Sequence, residues 1–216
     1  MLLNNQRRLL ILIPCCKKKE HNSGKSYRQV PVMPKHLDMF SDSLVSCRRE
    51  IAITLHLSPG PDLGFATPTQ VLYMPAFKRY IGNLYSRISE ESWQKLNNSR
   101  FVSLVIVSAL YGLLTWFEPT RDYNCTMNDR LPDGSTLWAW WMHKGLGVLV
   151  ADYVKSNGIN VVHDFLSIPY RKAVEGVEKH VGNNVKYVNH EYPGLGSGSN
   201  FHRGEEVNKL IRECCN

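Results

Sequence analysis

The sequence predicts an α/β fold, a single three-layer domain over residues 1–216 with a mostly parallel sheet and helices on both faces. Residues 9–13 are a run of aliphatic side chains and residues 101–108 are rich in Val, Leu and Ile, as expected of central strands that are covered on both faces. Segments with helical spacing separate these runs from later strand-like segments, and that alternation is typical of a parallel sheet. A chain of 216 residues is long enough to bury one sizeable core.

Each further element is predicted from its own pattern. Apolar residues three or four positions apart predict helices over 39–57 and 69–87, and the first of these ends at a Ser-Pro-Gly-Pro turn. Acidic residues at 90–91 favour another helix start. A long aromatic-rich helix is predicted over 135–156, closed by Asn157 and Gly158. The remaining predictions are strands at 160–165 and 185–189, helices near 169–180 and 204–215, and irregular connections at 20–35 and 116–133.

Composition limits the class of protein. No stretch approaches the roughly 18 to 20 apolar residues of a membrane span, so we expect a cytoplasmic protein without a membrane partner. The six cysteines include adjacent pairs at 15–16 and 214–215, which fit neither a CxxC zinc site nor a spaced disulfide framework, so reduced thiols are expected. The formal net charge of +7 favours a polyanionic partner such as a nucleic acid or a nucleotide.

The segment after the first apolar run is the strongest candidate site. Cys15, Cys16 and three lysines at 17–19 follow that run directly. The carboxyl ends of strands are where open α/β sheets bind ligands. Because ammonium groups stabilise a nearby thiolate, Cys15 or Cys16 is a candidate nucleophile, and the lysines, among them Lys17 and Lys19, are candidates for binding an anion. The alternative is a buried small residue followed by a solvated basic turn.

Parallel strands place their carboxyl ends at one edge of the sheet, so residues far apart in sequence are expected to meet there. That edge would gather the Cys/Lys segment with residues that follow the other strands, namely Ser108, Tyr111, Asp164, Ser167 and the glycine-rich loop containing Gly194 and Gly196. The backbone amides of such a loop can approach a phosphate or a base edge.

Several of these residues have a second interpretation. Ser108 lacks the GxSxG context of a hydrolase nucleophile and is more typical of a hydrogen-bonding strand end. Tyr111 suits either stacking on a base or packing in the core. Glu118 and Asp122, close to Tyr123, are candidates for general acid or base work, or they belong to a solvated loop. The absence of GxGxxG, GxxxxGK[ST] and HExxH motifs disfavours Rossmann, P-loop and zinc-hydrolase sites, and the sequence names no cofactor and no metal.

Motifs spread along the chain resemble those of the peroxide stress protein YaaA family. They are Leu-Ile-Leu-Ile-Pro at 10–14, Ala-Phe-Lys at 76–78, Ser-Ala-Leu-Tyr-Gly-Leu-Leu at 108–114, Pro119, Tyr123 and Tyr-Arg-Lys-Ala-Val at 170–174. A related group of small domains is more similar still. Its members begin with a strand, Cys and Lys, carry a Leu-Tyr-x-x-x-Phe element (here 72–77), and end with a Gly-Leu-Gly turn (here 194–196).

This resemblance implies an α/β fold, a cytoplasmic location, and an association with DNA or nucleobase chemistry and with oxidative stress. It adds Tyr73, Tyr170 and Arg171 to the candidate substrate-binding residues, which also include Lys17, Tyr111, Gly112, Tyr123, Asp164, Gly194 and Gly196. The YaaA pattern has Ser-Pro-Ala-Lys where this chain has Pro-Cys-Cys-Lys at 14–17. A thiol mechanism is therefore not common to the family, and this departure favours a lysine that holds an anion.

Two functions fit these observations. The first is an enzyme that acts on a nucleobase or nucleotide by glycosidic cleavage or group transfer, with Cys15, Lys19, Ser108 and Glu118 as candidate catalytic residues. The second is a non-enzymatic DNA-binding protein of the peroxide stress response, whose positive charge contacts phosphates and whose thiols sense oxidants.

Overall fold

The computed structural model describes residues 7–21, 23–27, 41–66 and 70–215 of the chain. In this part of the chain, strands form a five-stranded sheet and a separate two-stranded ladder. In chain order the strands are β1 (Leu9–Pro14), β2 (Tyr73–Pro75), β3 (Val102–Ser108), β4 (Gly112–Thr115), β5 (Pro119–Arg121), β6 (Val161–Asp164) and β7 (Lys186–Asn189).

The described residues also form α-helices and short 3-10 turns, the latter at Pro61–Leu63, Tyr85–Arg87 and Gly196–Gly198. In chain order the α-helices are α1 (Ser41–Thr54), α2 (Ala76–Arg79), α3 (Glu90–Asn98), α4 (Leu137–His143), α5 (Leu146–Ser156), α6 (Ile168–Ala173), α7 (Val177–Val181) and α8 (Ser199–Cys214). None of the described helices is both long and apolar enough to cross a membrane.

Strand β1 lies at the centre of the main sheet, whose order is β4-β3-β1-β6-β7. It pairs in parallel with β3 and with β6, and β7 adds in parallel to β6. Only β4 runs antiparallel, after a tight turn from β3. All six residues of β1 are buried, as its uninterrupted aliphatic sequence predicts. The mostly parallel sheet is confirmed.

Helices cover both faces of this sheet, which confirms the three-layer α/β architecture. Helices α3 and α8 pack against each other, while α4 packs on α5 and α6, and α5 packs on α7. The helices lie on opposite faces because connections between parallel strands are right-handed. The chain moves from β1 to β3 on one side of the sheet, and then returns across β1 to β6 and β7 on the other side. The buried apolar side chains form one contiguous core.

The prediction of a helix over 69–87 is wrong. Residues 73–75 form β2, which pairs with β5, and the helical part is limited to α2 and the turn at Tyr85–Arg87. The backbone of Tyr73 also exchanges hydrogen bonds with Lys25. Pairing on both sides of this short strand overrides the helical spacing of its apolar residues. The ladder with β5 also corrects the prediction of an irregular connection over 116–133.

The long helix predicted over 135–156 is divided into α4 and α5. Gly145 adopts a left-handed backbone with φ of +76°, which ends the first helix and begins the second. The helices predicted at 39–57 and 204–215 are confirmed as α1 and α8, although α8 begins earlier, at Ser199. Of the irregular connection predicted over 20–35, residues 22 and 28–35 lie outside the described part of the chain.

The carboxyl edge of the sheet brings Cys15 and Ser108 next to each other. Pro14 pairs with Val107 across the parallel strands, and the amide of Cys15 donates to the carbonyl of Val107 at 2.9 Å. Cys15 and Ser108 therefore leave the sheet side by side.

Candidate functional site

The Cys15 thiol lies at the carboxyl end of β1, and its sulfur is 3.2 Å from the hydroxyl of Tyr170 on α6. Only 4% of Cys15 is exposed. The tyrosine reaches the thiol because α6 begins directly after β6, the strand that neighbours β1 in the sheet. The parallel sheet therefore brings the Cys/Lys segment next to the Tyr170–Val174 motif. In the sequence analysis only the family resemblance pointed to Tyr170.

The ammonium group of Lys19 is buried, with 1% of the residue exposed. Its Nζ donates to the carbonyls of Cys16 at 3.0 Å and Lys17 at 3.4 Å, and it lies 4.0 Å from the ring centroid of Tyr123. Among the described residues no carboxylate forms an ion pair with it. Carbonyl dipoles and an aromatic face stabilise the cation without neutralising it, so its charge remains available to an anion.

Three buried hydroxyl groups surround these two residues. Tyr123 shares hydrogen bonds with Tyr80 at 2.7 Å and with Ser108 at 3.0 Å, and the Ser108 hydroxyl also accepts from the amide of Tyr111 at 3.2 Å. We name Cys15, Lys19, Tyr80, Ser108, Tyr123 and Tyr170 the thiol–tyrosine cluster. Ser108 fills the role of a strand-end residue that orients a phenol.

The phenols of the thiol–tyrosine cluster stay protonated at neutral pH. Burial raises the pKa of Tyr80, Tyr123 and Tyr170 well above the usual tyrosine value, and the sulfur of Cys15 raises each of these pKa values further. Protonated phenols are hydrogen-bond donors. The cluster therefore presents a thiol, a buried cation and several donors to the same small volume.

Two other thiols lie near β1. Burial raises the pKa of Cys16 to about 11, and it also raises the pKa of Cys125, although the charge of Lys19 lowers both in part. The Cys16 thiol donates to the carbonyl of Lys18 at 2.9 Å. Both side chains are therefore neutral thiols at neutral pH.

Tyr73 and Tyr111 belong to a different arrangement, centred on the buried carboxylate of Asp62. Asp62 accepts from the hydroxyl of Tyr111 at 2.7 Å, from the hydroxyl of Tyr73 at 2.8 Å, and from Arg121 through Nε and Nη2 at 2.8 and 2.6 Å. We name these four residues the Asp62 network. Both tyrosines are fully buried, so their rings pack in the interior of this structure. The sequence analysis missed Asp62 and Arg121, because an acid in a Pro-Gly-Pro turn is typical of solvated turns.

Glu118 is bound elsewhere. Its carboxylate accepts from Arg48 at 2.7 Å and from the amide of Thr115 at 3.2 Å. Thr115 pairs with Val105, in the middle of β3 and away from the strand end at Ser108. Arg48 also donates to the carbonyls of Tyr111 and Leu113. The ion pair thus fastens α1 to β4, and the structure does not bring Glu118 into the thiol–tyrosine cluster.

The other predicted binding residues are distributed around the edge. Asp164 is buried and accepts from Arg171 at 2.8 Å, from Tyr187 at 3.2 Å and from the amide of Leu166 at 2.7 Å. Gly112 forms the turn into β4. Lys17, Gly194 and Gly196 are exposed to solvent.

A histidine pair that the sequence analysis missed joins β6 to the residue after β7. Nδ1 of His163 lies 2.9 Å from Nε2 of His190, and Nδ1 of His190 lies 3.1 Å from Glu206 on α8. Burial, together with the neighbouring charges of His190 and Lys186, lowers the pKa of His163 to about 4. A single histidine within a strand, such as His163, carries no sequence signal of a functional site. In the described part of the chain, no group of three or more His, Cys, Asp or Glu side chains is arranged to hold a metal ion.

Comparison with known proteins defines the family. The sequence pattern of the family described as peroxide stress protein YaaA matches residues 9–211. The chain belongs to this family. The match extends from β1 to α8 and includes every residue of the thiol–tyrosine cluster and of the Asp62 network. Membership of the YaaA family is consistent with a role in oxidative stress. A search of individually curated proteins found no match.

Proposed function

We propose that this YaaA-family protein is an enzyme that acts on a nucleobase or nucleotide at the thiol–tyrosine cluster. The observation that carries the proposal is the buried cation of Lys19, which has no carboxylate partner among the described residues and lies against the same tyrosines as the Cys15 thiol. A nucleophile, a cation and hydrogen-bond donors at a sheet edge are the combination that group transfer requires.

The reaction class is glycosidic cleavage or transfer of a base. Sulfur of Cys15 bonds to the anomeric carbon of a nucleoside unit while the carbon–nitrogen bond breaks, and the electron pair leaves with the base. The thiol gives up its proton and the departing nitrogen gains one, with the phenols as the intervening donors. Water, or a second base in a transfer, then displaces the sugar from sulfur and restores the thiol. Lys19 stabilises the negative charge that builds up on the leaving group.

The first test is a search for product with matched variants. The protein is incubated with nucleosides, nucleotides and DNA carrying modified bases, and free base and sulfur-linked sugar are measured by mass spectrometry. We expect Cys15→Ser and Lys19→Met to lower turnover at least about 100-fold, because each removes a group that acts in the transition state. The controls are Cys214→Ser and Lys18→Met, which alter exposed side chains of the same chemistry.

Folding is checked in the same variants by thermal unfolding. Full turnover in a folded Cys15→Ser variant would exclude the thiol as nucleophile. Full turnover in both Cys15→Ser and Lys19→Met would contradict the proposed site as a whole.

The alternative function, non-enzymatic binding of DNA, is favoured by a different observation. Lys17 and Lys18 are exposed beside the cluster, and the whole chain carries a net charge of +7. Phosphate contacts release counterions, so the binding constant for DNA should fall steeply with added salt. Fluorescence anisotropy with a labelled DNA duplex measures this dependence. The salt concentration is varied from roughly 50 to 200 mM, the range over which such binding weakens most visibly. A flat response, or no binding, would contradict this alternative.

A further inference from the structure

Arg203 is a buried guanidinium that forms no ion pair with the acids of the described residues. It lies on α8 with 8% of the residue exposed, and its buried Nε has no hydrogen-bond partner among those residues. Its Nη1 donates to Oγ of Ser199 at 2.8 Å and to Oδ1 of Asn200 at 3.1 Å. In the described part of the chain no carboxylate forms an ion pair with it.

Asp164, whose charge acts on Arg203, and Glu206 on α8 are both engaged by other groups. Asp164 accepts from Arg171, Tyr187 and a backbone amide, and Glu206 accepts from Tyr192 at 2.8 Å. Burial lowers the pKa of Arg203, and the charge of nearby Arg171 lowers it as well. Because an arginine stays protonated in proteins, the fold carries a buried charge that an incoming anion would neutralise.

The guanidinium points at the first turn of α8, since both of its partners are the first two residues of that helix. Side chains on a helix lean towards its N-terminus, which is why a residue four positions along reaches Ser199. Among the described side chains none caps this sixteen-residue helix, whose cap residue is Gly198. The Ser199 amide donates to the carbonyl of Gly196, and the helix dipole favours a negative charge at this end.

The loop in front of α8 borders open space. A methyl group added at Gly194, Gly196 or Gly198 would meet no atom within 4 Å. Gly194 and Gly196 adopt left-handed backbones with φ of +79° and +47° and are exposed, so their backbone is accessible to a ligand from solvent. Arg171 on α6 is a second cation whose charge acts on Arg203, since it lowers the Arg203 pKa. Its side chain is 27% exposed and pairs with Asp164 at 2.8 Å and Glu191 at 3.1 Å.

Helix α6 links the N-terminus of α8 to the thiol–tyrosine cluster, because it carries both Arg171 and Tyr170. The hydroxyl of Tyr170 is hydrogen-bonded to the Cys15 thiol. We infer that the N-terminus of α8, with Arg203 and Arg171, binds the phosphate group of the substrate whose base or sugar reacts at the thiol–tyrosine cluster. The reacting part of this inference rests on the proposed function, whereas the phosphate site rests on the contacts of α8 alone.

The test measures binding of a phosphate group directly. Isothermal titration calorimetry compares deoxyguanosine 5′-monophosphate, deoxyguanosine and inorganic phosphate as probes of the full-length protein. We expect the nucleotide to bind at least about tenfold more tightly than the nucleoside, and Arg203→Met to abolish that difference. The control is Arg212→Met, which removes the same charge from the exposed last turn of α8 and should leave the difference unchanged.

A second variant keeps the test decisive if Arg203→Met does not fold. Arg203→Lys retains the charge but loses the forked donor, so it should weaken nucleotide binding while leaving nucleoside binding unchanged. Adding a short single-stranded oligonucleotide separates the two sources of phosphate. Tighter binding of the mononucleotide indicates a free nucleotide, and tighter binding of the oligonucleotide indicates a nucleic-acid backbone.

Equal binding of nucleotide and nucleoside would overturn the inference, as would wild-type nucleotide binding by folded Arg203 variants. The proposed function fails by a different measurement, namely full turnover in Cys15→Ser together with Lys19→Met. If the Arg203 variants lose nucleotide binding while Cys15→Ser and Lys19→Met keep full turnover, the phosphate site is supported and the proposed function is contradicted.

Discussion

The hydroxyl of Tyr170 lies 3.2 Å from the sulfur of Cys15, although 155 residues separate them along the chain. This contact unites the first strand with the helix that follows the third parallel strand. It also places a phenol whose pKa is raised by burial beside a thiol that is almost fully buried. A proton donor that remains neutral at physiological pH is thereby fixed next to the candidate nucleophile.

The buried tyrosines predict that the protein loses stability at alkaline pH. Burial raises the folded-state pKa of Tyr80, Tyr123 and Tyr170 above the unfolded value of roughly 10. Their contribution is complete below that value and is lost as the pH rises above it, because only the unfolded chain releases these protons. Urea unfolding at increasing pH should show this loss, and Tyr80→Phe should make it shallower. Ionisation of all ten tyrosines near their ordinary pKa in the native protein would contradict the prediction.

Asp62→Asn should destabilise the fold strongly. The carboxylate is fully enclosed and binds Arg121 through two hydrogen bonds, so its replacement leaves a buried guanidinium without a counter-ion. The expected loss in free energy of unfolding is about 3 to 5 kcal/mol, measured by urea denaturation. Asp152→Asn, on the exposed face of α5, is the control and should change stability by no more than about 0.5 kcal/mol. Similar losses in both variants would argue against a special role for the Asp62 network.

Gly112→Ala tests the close packing of the turn between β3 and β4. A methyl group there would lie 2.7 Å from Cζ3 of Trp141, in a left-handed backbone with φ of +71°. Gly134 has a similar φ of +84° but no atom within 4 Å, so Gly134→Ala isolates the backbone effect. We expect about 1 to 2 kcal/mol of destabilisation at Gly134 and about 1 to 3 kcal/mol more at Gly112. Thermal unfolding that ranks the two variants equally would show that Trp141 moves aside without cost.

His163 predicts a loss of stability in mild acid. Its folded-state pKa is lowered to about 4, below the unfolded value of roughly 6.5. Its contribution is therefore complete above the unfolded value and is lost as the pH falls towards the folded value, where the unfolded chain binds the extra proton. His163→Gln should flatten the stability profile across this interval, measured by unfolding at several pH values. The exposed His143→Gln variant should keep the wild-type slope.

Much of the architecture is predictable because the strands of the central sheet are buried on both faces. Their sequences, aliphatic in β1 and rich in Val, Leu and Ile in β3, identify these strands, and the parallel arrangement then places Cys15 beside Ser108. The predicted helix over 69–87 fails for a non-local reason. The pairing of β2 with β5 depends on residues 119–121, and helical spacing within the segment carries no information about that partner.

The candidate site is predictable only in part, as Lys19 illustrates. A run of three lysines is typical of a solvated turn, and Lys17 and Lys18 are indeed exposed. Lys19 is buried because its backbone forms a bridge with Tyr80, which turns its side chain under the ring of Tyr123. Asp62 and Glu118 also differ from what the sequence predicts. Asp62, which lies in no motif, is buried and hydrogen-bonded to three partners. Glu118, the predicted general base, is paired with Arg48.

The central position of β1 has a consequence for biosynthesis. Ribosomes synthesise β1 before either of its hydrogen-bonding neighbours, at 102–108 and 161–164. Until both neighbours have emerged, the backbone of this aliphatic strand is unpaired on both sides, and unpaired strand edges promote aggregation. We therefore expect this strand to need protection from aggregation during translation.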